Sequence, residues 1–210
     1  MEYYTVEEAT EKIFTKLTDS TGWKFLKSQR SLKKTFNTDL NFEILFFSSK
    51  WNASGQNVEI NAEFRVSYKK FGKLPVDNII AQVSYQPEGA YWYDISTEEK
   101  LSAVYEELND RIQRTAVKLY NEFELDYKTA AEKLLNEYFD EYNVRLDFIA
   151  EILGKDAVLE KAQKIYDGLS DEMKLEVKEY IKGDRSKKWM INRNNLKYII
   201  DHELGIERNV

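Results

Sequence analysis

Three periodicities follow one another along the chain. In the first segment Val6, Ala9, Ile13 and Leu17 recur at intervals of three and four, the repeat of one helical face. Thr5-Val6-Glu7-Glu8 opens this segment as a capping box, in which the threonine oxygen accepts from the third helical N–H and Glu8 reaches back to the cap N–H. Gly22 stands where the helix must end. The pattern predicts an amphipathic helix over 5–19, covering a sheet.

From Trp23 to Ile95 the repeat shortens to two. Val58, Ile60, Ala62, Phe64, Val66 and Tyr68 alternate with Glu59, Asn61, Glu63, Arg65 and Ser67, which predicts a strand with one buried and one wet face. Its predicted partner is 40–48, because the intervening 51–57 is dense in turn formers. Phe42, Ile44 and Phe46 share one face of that partner. Leu45 and Phe47 add apolar surface to the other, so it is expected to be central, with helical cover on its second face as well. Weaker strands are expected over 23–27, 32–36, 79–85 and 91–95, with Pro75 and Pro87-Glu88-Gly89 at turns. Loops this short cannot hold crossover helices, so the sheet is an antiparallel meander of four to six strands.

After Ser96 the helical repeat returns and stays. Ser96-Thr97-Glu98-Glu99 is a second capping box, and Leu101, Val104, Tyr105, Leu108, Ile112, Ala116, Leu119 and Phe123 trace a long stripe. A second stripe from Ala131 to Tyr142 either continues that helix or starts afresh at Asp126. Gly154, Gly168, Gly183 and Gly205 follow apolar runs as helix terminators, Ser170-Asp171-Glu172 opens one helix, and Leu196, Ile199, Ile200 and Leu204 define the last. The fold class is therefore α+β: an N-terminal helix, an antiparallel meander, a long helix and a helical C-terminal region. Two regions, 1–125 and 126–210, are expected. One continuous domain is the alternative, since no Pro-, Gly- or Ser-rich linker separates them.

Composition narrows the class further. With 42% hydrophobic and 14% aromatic residues the chain has the apolar surface that disordered chains lack, and without cysteine it has neither disulfide staples nor thiol chemistry. The longest clean apolar run, Ile44-Leu45-Phe46-Phe47, is far short of the ~18 residues of a membrane span. Met1-Glu2-Tyr3-Tyr4 carries no secretion signal, so a cytoplasmic location is expected, with no membrane partner. The net charge of −6 conceals segregation: 20–73 carries +6, 94–160 carries −9 and 182–197 carries +5. Facing or separately solvated segments explain this simply, and a net acidic chain is not the balance of a dedicated nucleic-acid binder.

The first helix, Gly22-Trp23-Lys24-Phe25, the hairpin with Ser48-Ser49-Lys50-Trp51-Asn52 at its turn, and Tyr91-Trp92-Tyr93-Asp94-Ile95 leading into the long helix together resemble a family of bacterial α+β domains with no established activity. The resemblance spans about residues 5–125. It implies a fold and a bacterial context and carries over no catalytic residue.

The residue inventory excludes much chemistry. His202 is the only imidazole, so two-histidine zinc sites and paired Glu-x-x-His motifs cannot be built, and its neighbours Asp201 and Glu203 diverge from it on a helix. No glycine-rich phosphate loop occurs. Glu137 and Glu141, with Asp140 beside them, offer carboxylates for a hard cation or acid–base work, although a solvated helix face is the expectation.

Lys24, Lys27, Arg30, Lys33 and Lys34, interleaved with Trp23, Phe25 and Phe36, suit capture of phosphate or of an acidic protein. The favoured reading is that the lysines guard an edge strand while the aromatics face the core. Tyr91-Trp92-Tyr93 reads as strand core. Arg185, Lys187, Lys188, Trp189 and Arg193 fall in an expected exposed connection between helices. Either Trp189 pins it to the helical core while the basic groups meet the acidic 94–160 segment, or it is a partner surface.

No catalytic residue, metal or cofactor is expected. The leading expectation is a non-enzymatic protein-interaction protein, such as a bacterial immunity, regulatory or phage-related factor, whose partner is another protein. A nucleic-acid-associated protein using 24–34 and 182–197 comes second, and a carboxylate- or metal-dependent enzyme third.

Overall fold

A computed structural model describes residues 2–37, 39–71, 78–140, 142–184, 186 and 194–204. The chain divides into two compact units between Tyr127 and Lys128.

The first unit opens with α1, Val6–Thr21, whose Thr5 and Glu8 form the expected capping box and whose exit at Gly22 takes the left-handed conformation at φ 66°. Six strands follow: β1 Lys24–Leu26, β2 Ser31–Phe36, β3 Leu40–Ser48, β4 Glu59–Tyr68, β5 Ile79–Tyr85 and β6 Tyr93–Asp94. They form one antiparallel sheet in the order β1-β2-β3-β4-β5, with β6 pairing the start of β4. β3 and β4 run opposite each other from Leu40↔Tyr68 to Ser48↔Ile60, which places Phe42, Ile44, Phe46, Ala62, Phe64 and Val66 on one face. All six are buried.

The α-helices of this unit pack on that face. Phe14 of α1 meets Phe46 at 4.5 Å between ring centroids, and Trp23, Phe42 and Phe64 gather around Tyr120 and Phe123. β3 is central, as expected. The helical cover expected on its second face is not supplied by this unit: Phe47 is 41% exposed and Leu45 half-buried. The reason lies across the sheet, where Lys33, Glu43 and Arg65 occupy one row and Glu63 pairs with Arg65, so most of that face has charge to present to water.

The long helix begins one residue later than the sequence suggests. Ser96 is fully buried, its N–H held by Asp94 Oδ1 and its carbonyl by Tyr4 N–H, so it is fixed beyond the end of β6 and Thr97 caps α2, Glu98–Ile112, instead. A π-helical segment, Gln113–Val117, then leads into α3, Lys118–Leu125. Asp126 takes an extended conformation, so the following stripe starts afresh as α4, Tyr127–Asn136.

The second unit continues with α5, Leu146–Leu153, α6, Leu159–Asp167, α7, Asp171–Ile181, capped by Ser170, and α8, Asn194–Asp201. Tyr166, Val177, Tyr180, Leu196 and Ile200 form a core among the last three helices. Asn195 ties the α8 start to the α5 start, donating to Val144 O and accepting from Leu146 N–H. Gly154 and Gly183 have positive φ, as helix terminators do, whereas Gly168 stays right-handed. Gly205 lies outside the described residues. Among the described residues no helix is long and apolar enough to cross a membrane.

Candidate functional site

The five basic residues of the first hairpin do not form one patch. Lys24 and Lys33 sit directly opposite each other on the charged face of the sheet, with Glu43 beyond Lys33. Lys34 is in register with Phe42 on the other face, where its ammonium lies 4.6 Å from the Tyr120 ring centroid. Lys27 and Arg30 stand apart in the β1–β2 turn. Trp23 is buried in the core, and Phe25 and Phe36 are half-buried against Phe14 and Tyr120 respectively. This dispersal breaks the continuous track along which a nucleic-acid backbone binds.

Lys27 and Arg30 instead form one side of a groove of about 830 Å³ whose other side is α1. That volume falls in the range of ligand sites, roughly 300 to 1,000 Å³. Helix geometry explains what α1 contributes. Residues four apart lie along one row, so Glu7, Glu11, Thr15 and Asp19 make an outer row and Thr10, Phe14 and Thr18 the row beside it. Phe25, half-buried, supplies the aromatic floor, backed by the buried Phe14 at 4.8 Å between ring centroids. Ser48 and Ser54 close one end, and both hydroxyls are engaged: Ser48 Oγ accepts from Arg30 Nη1 at 2.9 Å and Ser54 Oγ accepts from Val6 N–H at 3.1 Å. Arg30 itself has a positive φ of 48°, set by the turn that also places its carbonyl on Phe46 N–H.

The charges around this groove differ from the others on α1. Glu8 is bound to Thr5, Lys12 to Tyr4 and Glu98, and Lys16 lies over the Tyr105 ring. Among the described residues Glu7, Glu11, Asp19 and Lys27 have no side-chain partner, and Arg30 has only the Ser48 hydroxyl. Negative and positive rims thus face each other unneutralised.

Two further polar clusters serve the fold. At the α1–α2 junction the Tyr4 hydroxyl and the Lys12 ammonium both bind Glu98, and these contacts hold its carboxyl down at about 2. Beside β6, Arg111 donates to the Tyr93 hydroxyl and to Gln86 O, and Tyr93 donates to Glu107. Burial, then the Glu107 contact, pushes the Tyr93 phenol up to about 12. Tyr85 and Thr115 share a buried hydrogen bond that ties β5 to the π-helical segment. Of the expected aromatic run, Tyr93 alone is buried; Tyr91 is 59% exposed and Trp92 half-buried, because the chain leaves the sheet before β6 begins.

Comparison with known proteins finds no matching family model, curated relative or solved structure.

The remaining candidates fall elsewhere. Glu137 and Asp140 are exposed beyond the end of α4, so the helical spacing expected of this acidic group does not hold, and Glu141 is outside the described residues. Among the described residues no three metal-ligating side chains come together. His202 is exposed, 3.1 Å from the Lys155 ammonium and against the Tyr198 ring. Arg185, Lys187, Lys188, Trp189 and Arg193 lie outside the described residues. The sequence pointed to Lys27 and Arg30 but missed Glu7, Glu11, Phe14, Thr18 and Asp19. Acidic residues at intervals of four on the polar side of a helix look like an ordinary solvated face until a turn is folded against them.

Proposed function

We propose that this is a protein-interaction protein, acting in the cytoplasm, and that it engages its partner in the groove between α1 and the β1–β2 turn. The observation that carries the reading is the lining of that groove. Its aromatic floor and charged rims supply binding energy and orientation, while its serine hydroxyls are held by Arg30 and by the α1 backbone, with no imidazole or thiol among the lining groups to activate them. Such a site recognises rather than reacts.

A photo-crosslinking side chain placed at Thr15, exposed on the rim, tests this against the same group at Leu175, which is 57% exposed on α7. In the native host the Thr15 position should give a discrete protein adduct that survives nuclease treatment, and the Leu175 position should not. Adducts that are equal at the two positions, or lost with nuclease, overturn the reading.

A further inference from the structure

We infer that the groove takes an extended partner segment of five or six residues in which basic and acidic side chains alternate. This rests on the partner-binding reading above and adds the chemistry of what is bound.

The length follows from α1. From Glu7 to Asp19 the helix rises about 18 Å at ~1.5 Å per residue, and an extended chain covers that distance in five or six residues at ~3.3 Å each. The charge pattern follows from the two rims. Successive side chains of an extended chain point to opposite sides, so a segment lying between α1 and the turn directs alternate residues to each wall. Glu7 and Glu11 on one wall call for lysine or arginine at two successive alternate positions, with Thr15 opposite the third and Asp19 at the far end, and Lys27 and Arg30 on the other wall call for aspartate or glutamate between them. Phe25, the half-buried ring of the floor, then receives the aliphatic stems of the bound chain.

Helix stability accounts for the acidic row only at Glu7, which lies in the first turn, where the dipole favours a carboxylate. Glu7 and Glu11 are like charges one turn apart, an unfavourable spacing, and Asp19 lies in the last turn, at the negative end of the helix dipole, where no basic residue stands. None has a side-chain partner among the described residues. Charges held at a cost and left unpaired beside an opposite rim fit a site that is neutralised on binding.

The test uses the full-length protein and three fluorescein-labelled hexapeptides, amidated at the C-terminus: alternating lysine and glutamate, all lysine, and all glutamate. Fluorescence polarisation should show the alternating peptide binding about tenfold more tightly than either homopolymer, with an affinity that falls as salt is raised. Glu11→Lys and Lys27→Glu should each weaken it about tenfold. The double variant, which exchanges the two rims at these positions, should recover most of the loss, which a merely misfolded protein would not do. Equal binding of all three peptides, or a double variant no better than the single ones, overturns the inference. If the Thr15 crosslink still forms while the peptides show no preference, the groove remains the partner site and only the alternation falls; if neither is seen, both readings fall.

Discussion

Phe64 and Glu63 are neighbours on β4 with opposite fates. Phe64 is fully buried between Ile44 and Val83 in the register of the sheet, and Phe64→Ala should cost ~3 to 5 kcal/mol through the cavity it leaves. Glu63 faces away from the core, yet it is only 15% exposed and pairs with Arg65, so Glu63→Ala should cost about 1 kcal/mol rather than nothing. Urea unfolding of the two variants measures the difference, and equal costs would mean that the β4 register is wrong. Glu98 carries a pH-dependent contribution. The Tyr4 hydroxyl, then the Lys12 ammonium, lower its carboxyl from the ordinary 4.5 to about 2, so its stabilisation is complete above 4.5 and is lost as pH falls toward 2, where the unfolded chain takes up the proton first. Glu98→Gln should therefore lower the urea midpoint at neutral pH and converge with the parent protein at acid pH. A gap that stayed constant with pH would show that the carboxylate charge is not what matters.

Among the elements, α1 does two jobs with different faces. Ala9, Ile13, Phe14 and Leu17 hold it on the sheet, and the Glu7 row borders the groove. Its position relative to β1 depends on the two residues between them, Trp23 and Gly22, the latter turning the chain with a φ of 66° that favours glycine. A Cβ there would meet no atom within 4 Å, so Gly22→Ala should cost only the backbone term, about 1 kcal/mol. A fall in the thermal midpoint of several degrees with unchanged hexapeptide affinity is the expected result. A loss of peptide binding at unchanged stability would show instead that this turn sets the groove width.

For the molecule as a whole, the division between Tyr127 and Lys128 has a thermodynamic consequence. The first unit contains its own sheet, its covering helices and an aromatic cluster that extends to Tyr127 through Phe36 and Phe123. A chain ending at Tyr127 is expected to fold, to unfold cooperatively in urea, and to bind the alternating hexapeptide as the full chain does, because every residue lining the groove lies within it. A fragment without a near-UV circular dichroism signal would show that the second unit is needed to complete the first.

Much of this architecture is written in local patterns. The capping box at Thr5, the alternation along β4, the turn formers of 51–57, the Ser170 cap and the apolar spacing of α8 each depend on residues a few positions apart, so they can be read from neighbours alone. The failures occur where distant segments decide. Ser96 and Thr97 are equally good caps by type, and Tyr4 and Asp94 choose between them by fixing the Ser96 backbone just beyond β6. The five lysines and arginines of the first hairpin lie within residues 24–34, and strand pairing sends them to three surroundings. The groove is the clearest case. Glu7, Glu11 and Asp19 acquire a counterpart in Lys27 and Arg30 only once the turn at Gly22 folds β1 back along α1; helical periodicity sets the row, whereas the opposing rim is a product of tertiary packing.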